Sequence, residues 1–132
     1  MLSCHPFTLR VLVVDDHELT RFSLKLALSN QENIELVGLA SNGQEAIELV
    51  KRHHPDVIIL DLQMPVMDGW SASTHIKHID PNTQIIAYSS LEDPKFKDTC
   101  QTDSLDAFCQ KDTATPELIA LVRELGQRAA SR

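Results

Sequence analysis

The chain alternates short apolar runs with stretches of helical spacing. RVLVV (10–14), IELVGLA (34–40), DVIILD (56–61), TQIIAYS (83–89) and DAFCQ (106–110) are of strand length and mostly rich in Val, Ile and Leu. Between them apolar residues recur every three or four positions. Leu19, Phe22, Leu26 and Ala27 are predicted to form the buried face of a first helix, Ala46, Ile47 and Val50 that of a second, and Trp70, Ile76 and Ile79 that of a third. A polar fourth helix is expected over about 94–102, with Phe96 and Cys100 as its apolar pair. A fifth carries Leu118, Leu121, Val122 and Leu125, with Thr115 to cap it, Pro116 at its first position and Gly126 to close it.

Strands that alternate with helices pair in parallel and are covered on both faces, which makes this an α/β protein. One domain is expected over 9–126, with 1–8 as an N-terminal extension and 127–132 as a tail. In such a sheet a ligand lies beyond the carboxyl ends of the strands. The chain places polar residues at those ends. Strand one ends in Asp15-Asp16, strand three in Asp61, strand four in Ser89-Ser90, and Lys111 follows strand five. Each alone has an ordinary reading as a helix cap, a turn former or a surface charge. Their joint occurrence at four strand ends is what points to a site.

Three carboxylates on one rim repel one another, by roughly 4 kcal/mol per pair at 4 Å and intermediate dielectric. A hard divalent cation relieves that repulsion. Mg²⁺ suits the place because it needs few carboxylates, keeps several waters and takes phosphate oxygens as further ligands. Lys111 supplies a second compensating charge.

Composition narrows the alternatives. Twelve Lys and Arg against nineteen Asp and Glu give a net charge of −7. An acidic surface repels nucleic acid and anionic lipid, so neither is an expected partner. No apolar run approaches membrane-spanning length, and Cys4, Cys100 and Cys109 lack ligand-like spacing, which fits reduced thiols in the cytoplasm. His53-His54 are expected at the end of the second helix, where the helix dipole favours cations, and the His75/His78 pair has no evident carboxylate or thiol partner, so a structural or surface role is expected for both pairs. His17 is expected in a loop near the site, Trp70 in packing and Cys109 in the core.

VLVVDDHELTR, VIILDLQMPVMDGW, IIAYSS and AFCQKD resemble, in order and spacing, the receiver domain of two-component response regulators. The likeness runs from about Leu9 to Leu125. It implies a flavodoxin-like (CheY-like) five-stranded parallel sheet of order 2-1-3-4-5 with five flanking helices, an architecture for which that family is a standard example. It implies that Asp61 accepts a phosphoryl group from a sensor histidine kinase. Asp16 and Asp61 would hold Mg²⁺ by their side chains, Gln63 by its backbone carbonyl and Asp15 through a water. Lys111 would pair with Asp61 and then with the phosphoryl group, Ser89 would donate its hydroxyl, and the backbone N–H groups of Leu62 and Ser90 would assist. Ser89 and Phe108 would form the switch. The face made by the fourth helix, strand five and the fifth helix would engage a downstream output protein or domain, or a second copy of the chain.

The sequence departs from the family pattern at several points. Ser89 stands for the commoner Thr, Phe108 for Tyr, and Asp112 for a Pro after the lysine. Asp103-Ser104-Leu105 replaces an expected Ala-Gly-Ala, which puts an ordinary output face in doubt. Leu91, two residues past Ser89, cannot orient a hydrolytic water, so slow autodephosphorylation is expected, accelerated by Leu91→Glu. An aspartyl-phosphate phosphatase is a rival, but it would usually need an acid two residues past the nucleophile, where this chain has Gln63. A phosphorylation-independent module is another, opposed by the intact set of site residues. The local motifs also resemble receivers that precede a DNA-binding domain, and a stand-alone receiver and an N-terminal portion both stay open.

Overall fold

Five strands pair in parallel in the order β2-β1-β3-β4-β5: β1 (Leu9–Val14), β2 (Ile34–Ala40), β3 (Val57–Asp61), β4 (Gln84–Ser89) and β5 (Ala107–Gln110). This computed structural model describes residues 8–64, 66–90 and 104–130. Its helices are α1 (Glu18–Ser29), α2 (Gly43–His53), α3 (Gly69–Ile79) and α4 (Thr115–Ala130). The expected fourth helix lies outside the described residues, as do Cys4, Pro65, Leu91, Cys100 and Asp103, so α4 is the helix expected as the fifth.

Alternation along β1, β3, β4 and β5 builds two cores. Leu9, Val11, Val13, Val57, Ile59, Ile86, Tyr88 and Cys109 face α1 and α4, where they meet Leu24, Leu28, Leu118, Val122 and Leu125. Leu12, Val14, Ile58, Leu60, Ile85 and Ala87 face α2 and α3, where they meet Ala46, Ile47, Val50, Ala72 and Ile76. Asp56, Thr83 and Asp106 fall just before their strands rather than inside them. Asp56 accepts from the Arg10 N–H at 2.9 Å and Asp106 from the Ile85 N–H at 2.8 Å, so both tie neighbouring strands together.

The buried face of α1 is not the expected one. Leu24 and Leu28 pack on the sheet, whereas Leu19, Phe22 and Leu26 are 81%, 55% and 51% exposed, with Ala27 only partly buried. Positions 19, 22 and 26 form a stripe as regular as 24 and 28. Spacing alone favours the longer stripe, but the crossover from β1 to β2 turns the shorter one inward.

Gly126 does not end its helix, which continues to Ala130. It is a packing glycine: a Cβ there would stand 2.2 Å from Leu9 Cδ2. The departure at Ser104-Leu105 is also absorbed by packing. Leu105 joins the α2/α3 core, and the buried Ser104 hydroxyl meets that of Ser73 on α3 at 2.7 Å.

Candidate functional site

The cap reading of the rim acids can be tested helix by helix. Asn42 caps α2 by accepting from the Glu45 N–H, and Asp68 caps α3 by accepting from the Ser71 N–H. The residue at the cap position of α1 is His17, whose side chain makes no capping bond. Asp15, Asp16 and Asp61 therefore cap none of these helices. They converge instead: ligand atoms of Asp15, Asp16, His17 and Asp61 all lie within 4.8 Å of one another.

Each position follows from its strand. Asp15 and Asp61 continue the face that Val13 and Ile59 direct toward α1 and α4, and both carboxylates are buried, Asp61 at 2% exposure. Asp15 Oδ1 accepts from the His17 N–H at 2.8 Å and lies 2.9 Å from the His17 ring Nδ1, which is also 3.1 Å from Asp16 Oδ1. Arg21 reaches back from α1 to the Asp15 carbonyl at 2.7 Å. Asp61 Oδ1 accepts from the Gln63 N–H at 3.0 Å, which bends the chain away from the sheet.

Lys111 closes the cluster from the far side. Its ammonium lies 3.0 Å from Asp15 Oδ2 and 3.3 Å from Asp61 Oδ2. Burial pushes the Asp61 carboxyl up to about 6; the Asp15 charge and Asp16 reinforce this, against the Gln63 N–H and Lys111. Burial acts to lower Lys111, but the hydrogen bond and charge of Asp15 and the charge of Asp61 outweigh it and leave the ammonium raised. Asp15 Oδ2, Asp16 Oδ1 and Asp61 Oδ2 are buried oxygens whose near polar neighbours are the Lys111 ammonium for the first and third and the His17 ring for the second. One lysine near two of them leaves the three carboxylates undercompensated. Oxygen donors so grouped fit a hard divalent cation.

Ser89 is buried at the end of β4, with its hydroxyl donating to the Ser90 carbonyl at 3.4 Å, and its own carbonyl accepts from the Lys111 N–H at 2.8 Å. Ser90 is exposed beside it, while Leu62 is buried directly after Asp61. Phe108 is partly buried against the α2/α3 core. Trp70 packs against that same core and Cys109 is buried, as expected. His75 and His78 are exposed, and His54, in the left-handed conformation after α2, lies 3.3 Å from Asp80. Neither these three imidazoles nor that of His53 belongs to a metal-ligating cluster among the described residues. His17 stands near the site as expected and adds its ring to the acidic cluster, whereas Tyr88 escaped the sequence reading, where it was only one more apolar position of β4.

A doubly covered parallel sheet of this order, with an acidic cluster at its carboxyl edge, defines a flavodoxin-like receiver fold. The chain belongs to the response regulator receiver domain family, which matches residues 11–123. It is 44% identical over 100 residues to a Photobacterium profundum protein-glutamate methylesterase/protein-glutamine glutaminase, covering 76% of this chain and 25% of that protein. It is 35% identical over 117 residues to the Staphylococcus aureus response regulator VraR, covering 89% of this chain and 56% of that one. The signal receiver domain of NarL from Mycobacterium tuberculosis superposes with a TM-score of 0.83 at 32% identity, over 92% of this chain and 98% of that domain. The chain thus spans between a quarter and just over half the length of these curated relatives. Receivers of this family accept a phosphoryl group on an aspartate in two-component systems, bind Mg²⁺ at their acidic pocket, and interact with histidine kinases and output domains. They are typically not turnover enzymes. No helix among the described residues is long and apolar enough to cross a membrane.

Proposed function

We propose that Asp61 accepts a phosphoryl group from a phosphohistidine of a sensor histidine kinase, and that the modified rim switches binding of an output partner. One Asp61 carboxylate oxygen attacks phosphorus. The bond from phosphorus to the donor nitrogen breaks, and that nitrogen keeps the electron pair. The side chains of Asp16 and Asp61 and the Gln63 carbonyl, with Asp15 through a water, would hold Mg²⁺, whose charge would neutralise the phosphoryl oxygens. Lys111 passes from Asp61 to a phosphoryl oxygen, and the Ser89 hydroxyl with the backbone N–H groups of Leu62 and Ser90 binds the others. The product adds charge and acceptor oxygens beside Ser89, and Phe108 behind it repacks.

The surface of β5, α4 and the segment before β5 would carry the output, to a downstream protein or domain or to a second copy of the chain. We take the protein to be a switch that takes up about one phosphoryl group per chain and stops, rather than a turnover enzyme, acting in the cytoplasm. Its unit runs from Leu9 to the end of α4, because Gly126 lies inside that helix. The observation that supports this reading above the rest is the buried Asp61 carboxylate between the Lys111 ammonium and two further acids. Incubation with acetyl phosphate and Mg²⁺ should add one phosphoryl group by mass spectrometry, and Asp61→Asn should abolish it. Labelling that persists in D61N would move the acceptor elsewhere and sink the proposal.

A further inference from the structure

Lys111 directly follows β5 yet serves carboxylates at the ends of β3 and β1, so its side chain must cross the end of β4. Residues of one parity share a face, and the register pairs Cys109 with Tyr88 and Tyr88 with Asp61. Lys111 follows Cys109 on that face, so its path to Asp61 passes over the Tyr88 ring. The Lys111 ammonium lies 5.8 Å from the centroid of that ring, within the range of a cation–π contact. Tyr88 is itself buried in the α1/α4 core among fixed strand neighbours, so the ring is a rigid platform.

We infer that Tyr88 is a positioning residue for Lys111, its ring face holding the ammonium between Asp15 and Asp61. The alternative partners make such a platform necessary. Asp15 Oδ2 is nearer the ammonium than Asp61 Oδ2 is, and a long, flexible lysine drawn by the nearer carboxylate would desert the reacting one. A quadrupolar ring face is indifferent to whether Asp61 carries a carboxylate or a phosphoryl group. It therefore steadies the lysine before and after transfer, when both of its ionic contacts change. The benzene ring, not the hydroxyl, performs this task, so phenylalanine should replace tyrosine and an aliphatic residue should not.

The placement is tested by NMR of the wild-type protein, without any phosphoryl donor. Lys111 methylene protons next to the ammonium should resonate upfield through the ring current and show cross-peaks to the Tyr88 ring. Unshifted protons with no cross-peak would overturn the inference. The role is tested by phosphorylation rates from acetyl phosphate, and this arm rests on the proposed function. Tyr88→Leu should lower the rate about three- to tenfold, the rate equivalent of a cation–π contact, while Tyr88→Phe stays within about twofold of wild type. Mg²⁺ affinity should be the same in all three proteins, which separates misplacement of the lysine from damage to the rim. Y88L reacting at the wild-type rate, or Y88F falling as far as Y88L, would overturn the role. Should Y88L fail to fold, Tyr88→Met takes its place under the same criteria. If no protein, wild type included, takes up phosphate, the functional proposal fails, while the NMR result still decides the contact.

Discussion

Gly69 packs its Cα against the carbonyl of Asp61 so closely that a Cβ would stand 2.2 Å from that oxygen and 2.7 Å from the Leu62 Cα. Its N–H also donates to the Leu62 carbonyl at 3.1 Å. No glycine here has positive φ, so this position needs glycine for close approach and not for an unusual turn. Gly69→Ala should push apart α3 and the end of β3. The expected outcome is a loss of about 1–3 kcal/mol in denaturant unfolding together with slower phosphorylation. Wild-type stability in that variant would contradict the packing argument.

Asp61 holds its proton up to about pH 6 in the folded protein, against 3.8 as its ordinary value. Between those values the folded state binds more protons than the unfolded one, so stability falls as pH rises and the loss is complete above about 6. Asp61→Asn should therefore be more stable than wild type at pH 8 without metal, by about 2–3 kcal/mol, and the difference should close near pH 3–4. Urea unfolding at both pH values checks this. A difference independent of pH would assign the effect to something other than the buried charge.

Metal should act on the same quantity. A cation that binds the folded rim alone stabilises by about 2.7 kcal/mol at a hundred times its Kd. Mg²⁺ should raise the wild-type melting temperature and shift the pH at which Asp61 becomes reactive downward, below about 6. Asp16→Asn should blunt both effects. A melting temperature that ignores Mg²⁺ in the wild type would show that the three acids are not its ligands.

The two stripes of α1 make opposite predictions. Leu24→Ala, in the core, should cost about 2–4 kcal/mol. Phe22→Ser, more than half exposed, should change stability by no more than about 0.5 kcal/mol. Equal losses would restore the face that the sequence pattern favours.

Ser73 also accepts scrutiny by mutation. Its hydroxyl donates to the Trp70 carbonyl at 2.8 Å and lies 2.7 Å from Ser104 Oγ, with both residues buried. Removing either hydroxyl leaves the other short of a partner, so each single alanine variant should lose about 1–2 kcal/mol and the double variant clearly less than their sum. Additive losses would mean that the two hydroxyls do not cooperate.

These cases separate what the chain declares locally from what tertiary context decides. The strands were legible because a fully buried parallel strand is apolar on both faces, and the rim was legible because polar residues interrupt those runs where they leave the core. Asp15, Asp16, Asp61, Ser89 and Lys111 are brought to one edge for that reason. The inward stripe of α1 was not legible, since periodicity is indifferent between two regular stripes. Gly126 read as a stop because glycine commonly ends helices, and only the nearness of Leu9 explains its place in mid-helix. Ser104 looked like a disturbance until its partner on α3 came into view. Tyr88 was hidden for a related reason: its aromatic ring matters through a lysine that reaches it from the neighbouring strand.

Tyr88 and Ser89 are consecutive on β4, and the pleat sends them to opposite sides of the sheet. The first looks into the layer of α1 and α4, the second toward that of α2 and α3. A small slide of that strand tip would carry the lysine's platform and the serine hydroxyl together, so news from the rim would reach both helical layers through a single peptide unit.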